Sequence, residues 1–233
     1  VTAPINQVYC NNQIAPVTNI SGTGTSYSWT NSNPSIGLAA SGTGNISSFT
    51  ATNTGFAPIT ATITVTPHFT NNSITCSGTP VTYTITVNPT PIVNSPANQT
   101  VCNGALTSAI SFQGYQGTLY NWTNTTPSIG LGASGVGAIS AFTGQNNSNS
   151  PLVGSIVVTP EYFNAGLSCF GTAQTFSITV NPSPVVGFTY QNQVICSGST
   201  SNTVTINSTT PNAVITWNVL NAPAGISGLT STS

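Results

Sequence analysis

The chain has 233 residues, no Lys, no Arg, one acid (Glu161) and one imidazole (His68), yet 38% of it is hydrophobic. Ordinary soluble domains carry about a quarter charged residues, so the polar surface here must come from Thr, Ser, Asn, Gln and Gly. That balance excludes nucleic-acid partners, which are held through Lys and Arg on phosphates, polybasic attachment to anionic lipid, and a disordered chain, which needs low hydrophobicity.

Taken in chain order, the segments read as short strands between turns. Val1 is neither an initiating Met nor the start of a signal peptide, so the chain reads as beginning inside a longer precursor or after processing. A turn signal at Ser21-Gly22 precedes the strand-like Tyr27-Ser28-Trp29-Thr30-Asn31, then Pro34-Ser35-Ile36-Gly37-Leu38 and a second turn at Ser41-Gly42. Ala61, Ile63 and Val65 alternate with Thr60, Thr62, Thr64 and Thr66. After a turn at Asn71-Asn72, Val81, Tyr83, Ile85 and Val87 alternate with Thr82, Thr84 and Thr86. Period-two alternation places the apolar set on a core face and the Thr set toward solvent. No segment carries a helical period, and no apolar run approaches the roughly 20 residues of a membrane helix.

The same order then recurs. Tyr120-Asn121-Trp122-Thr123-Asn124, Pro127-Ser128-Ile129-Gly130-Leu131, Cys169-Phe170-Gly171-Thr172 and Ile178-Thr179-Val180-Asn181-Pro182 each stand 93 residues after their counterparts. A third copy opens with Cys196-Ser197-Gly198 and reaches Trp217. Asn88-Pro89-Thr90-Pro91 and Asn181-Pro182-Ser183-Pro184 mark the boundaries, and paired prolines bias such joints toward an extended, semi-rigid form. The expected units are residues 1–91, 92–184 and an incomplete third, 185–233. Seven or so short strands in about 90 residues suit a sandwich, so the fold class expected is all-β: tandem immunoglobulin-like antiparallel β-sandwiches, end to end as a rod.

Five cysteines without metal-site spacing favour disulfides and an oxidising, extracellular compartment. The simplest framework is one bridge per repeat, Cys10–Cys76 and Cys102–Cys169. Each would close a loop of about 67 residues, worth roughly 4 kcal/mol in the chain-entropy treatment. Cys196 is then unpaired only because its partner falls past the end of the chain. The alternative is five buried free thiols. Trp29 and Trp122 lie between cysteines, and they and their counterpart Trp217 read as core residues, packed on the bridges, rather than as sugar-stacking platforms.

Catalysis has little to work with. His68 and Glu161 occupy one equivalent position in successive repeats, Thr66-Pro67-His68-Phe69 against Thr159-Pro160-Glu161-Tyr162. On strands of ordinary length they stand roughly 30 Å apart, and both read as solvated loop or edge residues. A Ser nucleophile needs a base and an orienting group, and the chain has no Asp. Calcium wants several carboxylates. No cofactor or metal is expected, and the chain reads as non-enzymatic. Sequons at Asn19, Asn45, Asn71, Asn98, Asn121, Asn124, Asn146 and Asn207 are what chance supplies in an Asn/Ser/Thr-rich chain.

These motifs together resemble the PKD-like, immunoglobulin-like repeats of giant Bacteroidota cell-surface proteins. The shared pattern is Cys-x-Gly, Tyr-x-Trp-Thr, Pro-Ser-Ile-Gly-Leu, Ala-x-Ile-x-Val-Thr-Pro, a second Cys-x-Gly and Ile-Thr-Val-Asn-Pro-x-Pro. The first repeat departs from it with Cys10-Asn11-Asn12. The likeness extends to SprB-type gliding-motility adhesins. It implies a bacterial cell-surface location, export by type IX secretion, gliding machinery and neighbouring repeats as partners, and an adhesive stalk as the role. The other reading is a carbohydrate- or ice-binding module using outward Thr rows or exposed aromatics.

Overall fold

The structure, a computed structural model, describes residues 1–190 and 192–219. The first repeat contains β1 (Gln7–Cys10), β2 (Ile14–Ala15), β3 (Ser26–Asn31), β4 (Ser41–Thr43), β5 (Phe49–Thr50), β6 (Ile59–Asn71), β7 (Ile74–Ser77) and β8 (Val81–Asn88). The second contains β9 (Gln99–Cys102), β10 (Thr118–Asn124), β11 (Ser134–Val136), β12 (Leu152–Asn164), β13 (Leu167–Phe170) and β14 (Gln174–Asn181). β15 (Val186–Phe188) and β16 (Ile206–Ser208) form a two-stranded ladder in the third.

Each complete repeat builds one large sheet, ordered β1-β8-β6-β3-β4 or β9-β14-β12-β10-β11, with β7 or β13 folded back on the far end of the long strand. Pairing is antiparallel except where β1 joins β8 and β9 joins β14, both parallel. In the first repeat the β2–β5 ladder and the Thr18–Ile46 bridge form the facing layer. The second repeat has only the Leu106–Thr143 and Ile110–Ile139 bridges there.

The alternation does what the pleat requires. Ala61, Ile63 and Val65 lie opposite Ile85, Tyr83 and Val81, and the first five are buried in the core, while the Thr residues between them face outward. The hairpin after β6 turns through Asn72 and Ser73, both at positive φ, as a two-residue turn joining twisted strands prefers. Pro67 and Pro160 sit in the gap between the end of the β8 or β14 ladder and the start of the β7 or β13 ladder, so no ladder bond is lost to the missing N–H.

The Pro-Ser-Ile-Gly motif is a 3-10 turn. Pro34 opens it, Ile36 is fully buried, and Gly37 closes it at φ 93°. A side chain at Gly37 would also overlap the Thr50 carbonyl. Pro127–Ile129 and Gly130 repeat the arrangement.

Trp29 and Trp122 are buried, but their rings lie over glycines, not disulfides. The ring of Trp29 covers Gly42, its cross-strand partner on β4, and Trp122 covers Gly135 on β11. Trp217 departs from the expected core role: it is 39% exposed and outside any strand, and no glycine-bearing neighbour strand covers it among the described residues. The expected third unit, 185–233, lies partly outside the described residues.

A methyl group at Gly42 would enter the Trp29 ring. Gly42→Ala should therefore cost about 1–3 kcal/mol, as overpacking does. Urea unfolding should show an earlier midpoint at unchanged slope, whereas Gly44→Ala should cost through its positive φ of 69° alone, with no change in Trp environment.

Candidate functional site, the joint between repeats

The cysteines are placed by the length of the long strand. Cys10 pairs with Asn88, one residue beyond the Val87–Ile59 pair that begins the β6–β8 ladder. Cys76 pairs with Phe69 at the other end of β6. Ten residues along a strand at about 3.3 Å each separate the two ends by roughly 33 Å. Cys102 and Cys169 are placed in the same way, opposite Asn181 and Tyr162. The expected bridges Cys10–Cys76 and Cys102–Cys169 are therefore corrected. Each repeat carries one cysteine at each pole, and a bridge tolerates a Cα separation of only about 7 Å.

The bond instead crosses the joint. Cys10 is bonded to Cys169, with Cα atoms 5.6 Å apart, and Cys76, Cys102 and Cys196 are free and exposed. Around the bond the first repeat presents the end of β1 and the linker that follows β8, residues 89–91, and the second presents the β12–β13 hairpin. Asn164 Nδ2 donates to Asn88 Oδ1 at 2.8 Å. The Cys10 sulfur rests 3.7 Å from the Ser168 carbonyl. Pro89 and Pro91 are buried, and a Cβ at Gly171 would overlap the Pro91 carbonyl. Phe56 and Tyr115 meet at the joint with ring centroids 4.8 Å apart.

Each exit pole is braced by amides. Asn53 is buried; its Nδ2 donates to the Ala57 and Val87 carbonyls while its Oδ1 accepts from Gly55 N–H. Its own N–H donates to Asn11 Oδ1, and Asn11 Nδ2 donates to Thr90 Oγ1 in the linker after β8. Asn146 and Asn103 repeat this framework, with Ser183 in the place of Thr90. The buried Asn124 donates to the Leu131 carbonyl. The sequon asparagines Asn124 and Asn146 thus have their amides committed inside the fold.

His68 and Glu161 stand on the long strands β6 and β12, half-buried in the sheet, not in loops. His68 Nε2 is 2.8 Å from Ser28 Oγ and Nδ1 is 3.1 Å from Ser77 Oγ. Glu161 accepts from Asn121 Nδ2 at 2.7 Å and Ser168 Oγ at 2.5 Å. These are cross-strand pairs on the outer face. The structure does not bring the two together, since they belong to different repeats. A shallow depression of about 320 Å³ over β10 and β11 is lined by Asn121, Thr123, Ser134, Val136 and Thr159, among others. No group of three or more potential metal ligands occurs among the described residues. Nor does any helix among them have the length and apolarity to cross a membrane. Burial pushes the Tyr83 hydroxyl up to about 12, with Thr18 acting in the opposite direction, and also raises Tyr9 and Tyr120.

No family model matches the chain, and no curated protein matches it significantly. Solved structures similar to it include mouse Cadherin-23 EC22-24, at 13% identity over 77% of this chain and 63% of that one with a TM-score of 0.33. Human CDH23 EC21-23 matches at 14% identity over 88% and 83% with a TM-score of 0.34. The insect immune protein hemolin matches at 12% identity over 77% and 45% with a TM-score of 0.34. The chain spans less than two thirds of the mouse cadherin and hemolin structures.

The glycine at the joint separates docking from folding. Gly171→Ala should displace the Pro91 segment and, at the about 1–3 kcal/mol typical of overpacking, shift the Cys10–Cys169 equilibrium roughly fivefold to 150-fold toward the dithiol. Titration in a glutathione redox buffer reads this directly. Gly78→Ala, the counterpart in the first repeat, meets only the edge of Pro67 at 3.0 Å and should leave the same midpoint unchanged.

Proposed function

We propose that the chain is a segment of a long, secreted, non-enzymatic cell-surface adhesin, whose repeats form a covalently braced stalk. The units of that stalk are 1–91, 92–184 and 185–233. The observation that carries the reading is the Cys10–Cys169 bond across the joint. A bond inside a domain stabilises that domain. A bond between domains of roughly 30 Å each resists bending and separation, which serves a protein that transmits force or spans distance. The near absence of charge fits the same role: the chain offers no cleavage site after Lys or Arg, and the joint is held without ion pairs that salt could screen. A bacterial surface location, type IX secretion and gliding motility belong to this reading through the resemblance of the repeats. Its partners are the neighbouring repeats and, on the same resemblance, the secretion and gliding machinery.

One observation favours a second reading, a carbohydrate- or ice-binding surface. In the first repeat Thr60, Thr62 and Thr64 lie directly opposite Thr86, Thr84 and Thr82, forming a hydroxyl array on the outer face. The second repeat interrupts it with Val153 and Val157. The array is therefore local to one repeat and does not extend along the rod.

Small-angle scattering on the full chain separates a braced rod from a flexible string. The expected result is an elongated distribution of interatomic distances that broadens when dithiothreitol opens the staple. A distribution indifferent to reduction sinks the stalk reading. Saturable binding on a glycan array or to ice, lost in Thr62→Val/Thr64→Val, would favour the second reading instead.

A further inference from the structure

The bond across the joint also decides which parts of the chain can carry tension. Cys10 and Cys169 stand 159 residues apart in sequence, with Cα atoms 5.6 Å apart. Between them β2–β8, the joint and β9–β12 all lie inside one covalent loop. The segments outside the loop in these two repeats are short. Residues 1–10 run along the first repeat. Thr2 N–H donates to the Ser21 carbonyl, and Val1 lies against Gly22 near the Tyr27 hydroxyl. Asn6 Oδ1 accepts from Thr84 N–H, and β1 then reaches Asn88 at the end of β8. Tyr27 stands opposite Pro67, toward the hairpin end of β6, so this segment passes from one pole to the other. On the far side of the bond, β14 runs from Gln174, opposite Val158, to Val180, opposite Leu152. It crosses the second repeat in the same sense, from the hairpin pole to the exit pole.

We propose that the Cys10–Cys169 bond is a load bypass and a redox-controlled length lock. Tension along the chain passes through residues 1–10, across the two sulfurs and through residues 169–181, two segments that already span their repeats. Residues 11–168 are held beside that path by lateral hydrogen bonds and packing, and they add no length while the bond stands. Opening it frees roughly 520–570 Å of chain, at about 3.3–3.6 Å per extended residue. The opening is thiol–disulfide exchange. A thiolate of an external dithiol attacks one sulfur and releases the other; the dithiol's second sulfur then closes its own disulfide and releases the first. The reductant gives up two electrons and two protons, which end on Cys10 and Cys169 as thiols. The purpose of the lock rests on the stalk reading, but the bypass follows from connectivity, and scattering without load tests the stalk alone.

The test stretches the full chain between handles on its two ends in an optical trap, with and without dithiothreitol. The oxidised chain should stop short of the reduced chain by roughly 520–570 Å of contour length. A shortfall of about 220–240 Å, as a bond within one repeat would give, or no shortfall at all, overturns the proposal. Ile63→Val reads the load path itself. Ile63 is fully buried in the first repeat, inside the loop. In the reduced chain the variant should unfold about twofold to tenfold faster at a given force. With the bond intact, its force–extension trace should match that of the parent. A variant that shifts both traces alike would mean that the loop bears the load despite the bond, and the bypass would be lost. Ile156→Val, equally buried, applies the same reading to the second repeat.

Discussion

The long antiparallel pair at the centre of each sheet, β6 with β8 and β12 with β14, sets the geometry on which everything else depends. The long strand runs 13 residues, but its eight-residue partner covers only its first part, so the return hairpin must pair with the rest. One strand therefore carries both poles of the domain. The parallel strand β1 follows β8 to the exit pole, and β7 stays at the entry pole. Once those directions are fixed, a cysteine on β1 and a cysteine on β7 cannot meet within one domain. They can meet only across a joint, and the bond between Cys10 and Cys169 is the consequence.

An almost uncharged chain must satisfy its buried polar groups without ions, and amides take that role. Asn31, Asn53 and Asn88 in the first repeat, and Asn124 and Asn146 in the second, are buried. Asn31 and Asn124 hold the loop after their strand through the Leu38 and Leu131 carbonyls. Asn53 and Asn146 tie the exit loop to the last residues of β8 and β14. An amide offers both a donor and an acceptor, so one side chain closes two gaps where a charge would carry a desolvation cost. The groups left without a partner among the described residues are Nδ2 of Asn88, the hydroxyls of Tyr83 and Thr118, and the indole N–H of Trp29 and of Trp122, the last two at the same place in both repeats.

Much of this architecture was legible because period-two alternation and turn chemistry act locally. The Thr/aliphatic runs became β6 and β8 in the expected phase, and Pro-Ser-Ile-Gly became a capped turn with Ile36 inside. The cysteine partners were not legible, and the reason lies in the repeat itself. A fixed period makes the pairing of Cys10 with the second cysteine of its own repeat or of the next equally regular; only strand direction breaks the tie. The placement of His68 and Glu161 was missed for a related reason. Thr-Pro reads as the end of a strand, yet Pro67 occupies a gap between two partners, and the strand continues through it. The Trp rings were assigned to the bridges because the flanking cysteines suggested it, while the signal that could have corrected this, Gly42 and Gly135 in Ser-Gly-Thr and Ser-Gly-Val, looked like a turn.

The spacing of the repeats carries a further consequence for the joint. Cys10 and Cys102 are 92 residues apart, whereas Trp29 and Trp122 are 93 apart. The extra residue falls between Gly114 and Tyr120, in the loop that carries Tyr115 to Phe56. At the next joint, the counterpart of Phe56 is Asn149, and its Nδ2 donates to the carbonyl of Thr209, the counterpart of Tyr115. An aromatic pair at one joint is thus a hydrogen bond at the next, in the same place. The loops on this side vary in length and chemistry, and the cysteine position on the parallel strand does not. The first joint thus combines the Cys10–Cys169 bond with an aromatic pair, whereas at the second a side-chain hydrogen bond stands in the place of that pair and Cys102 is free.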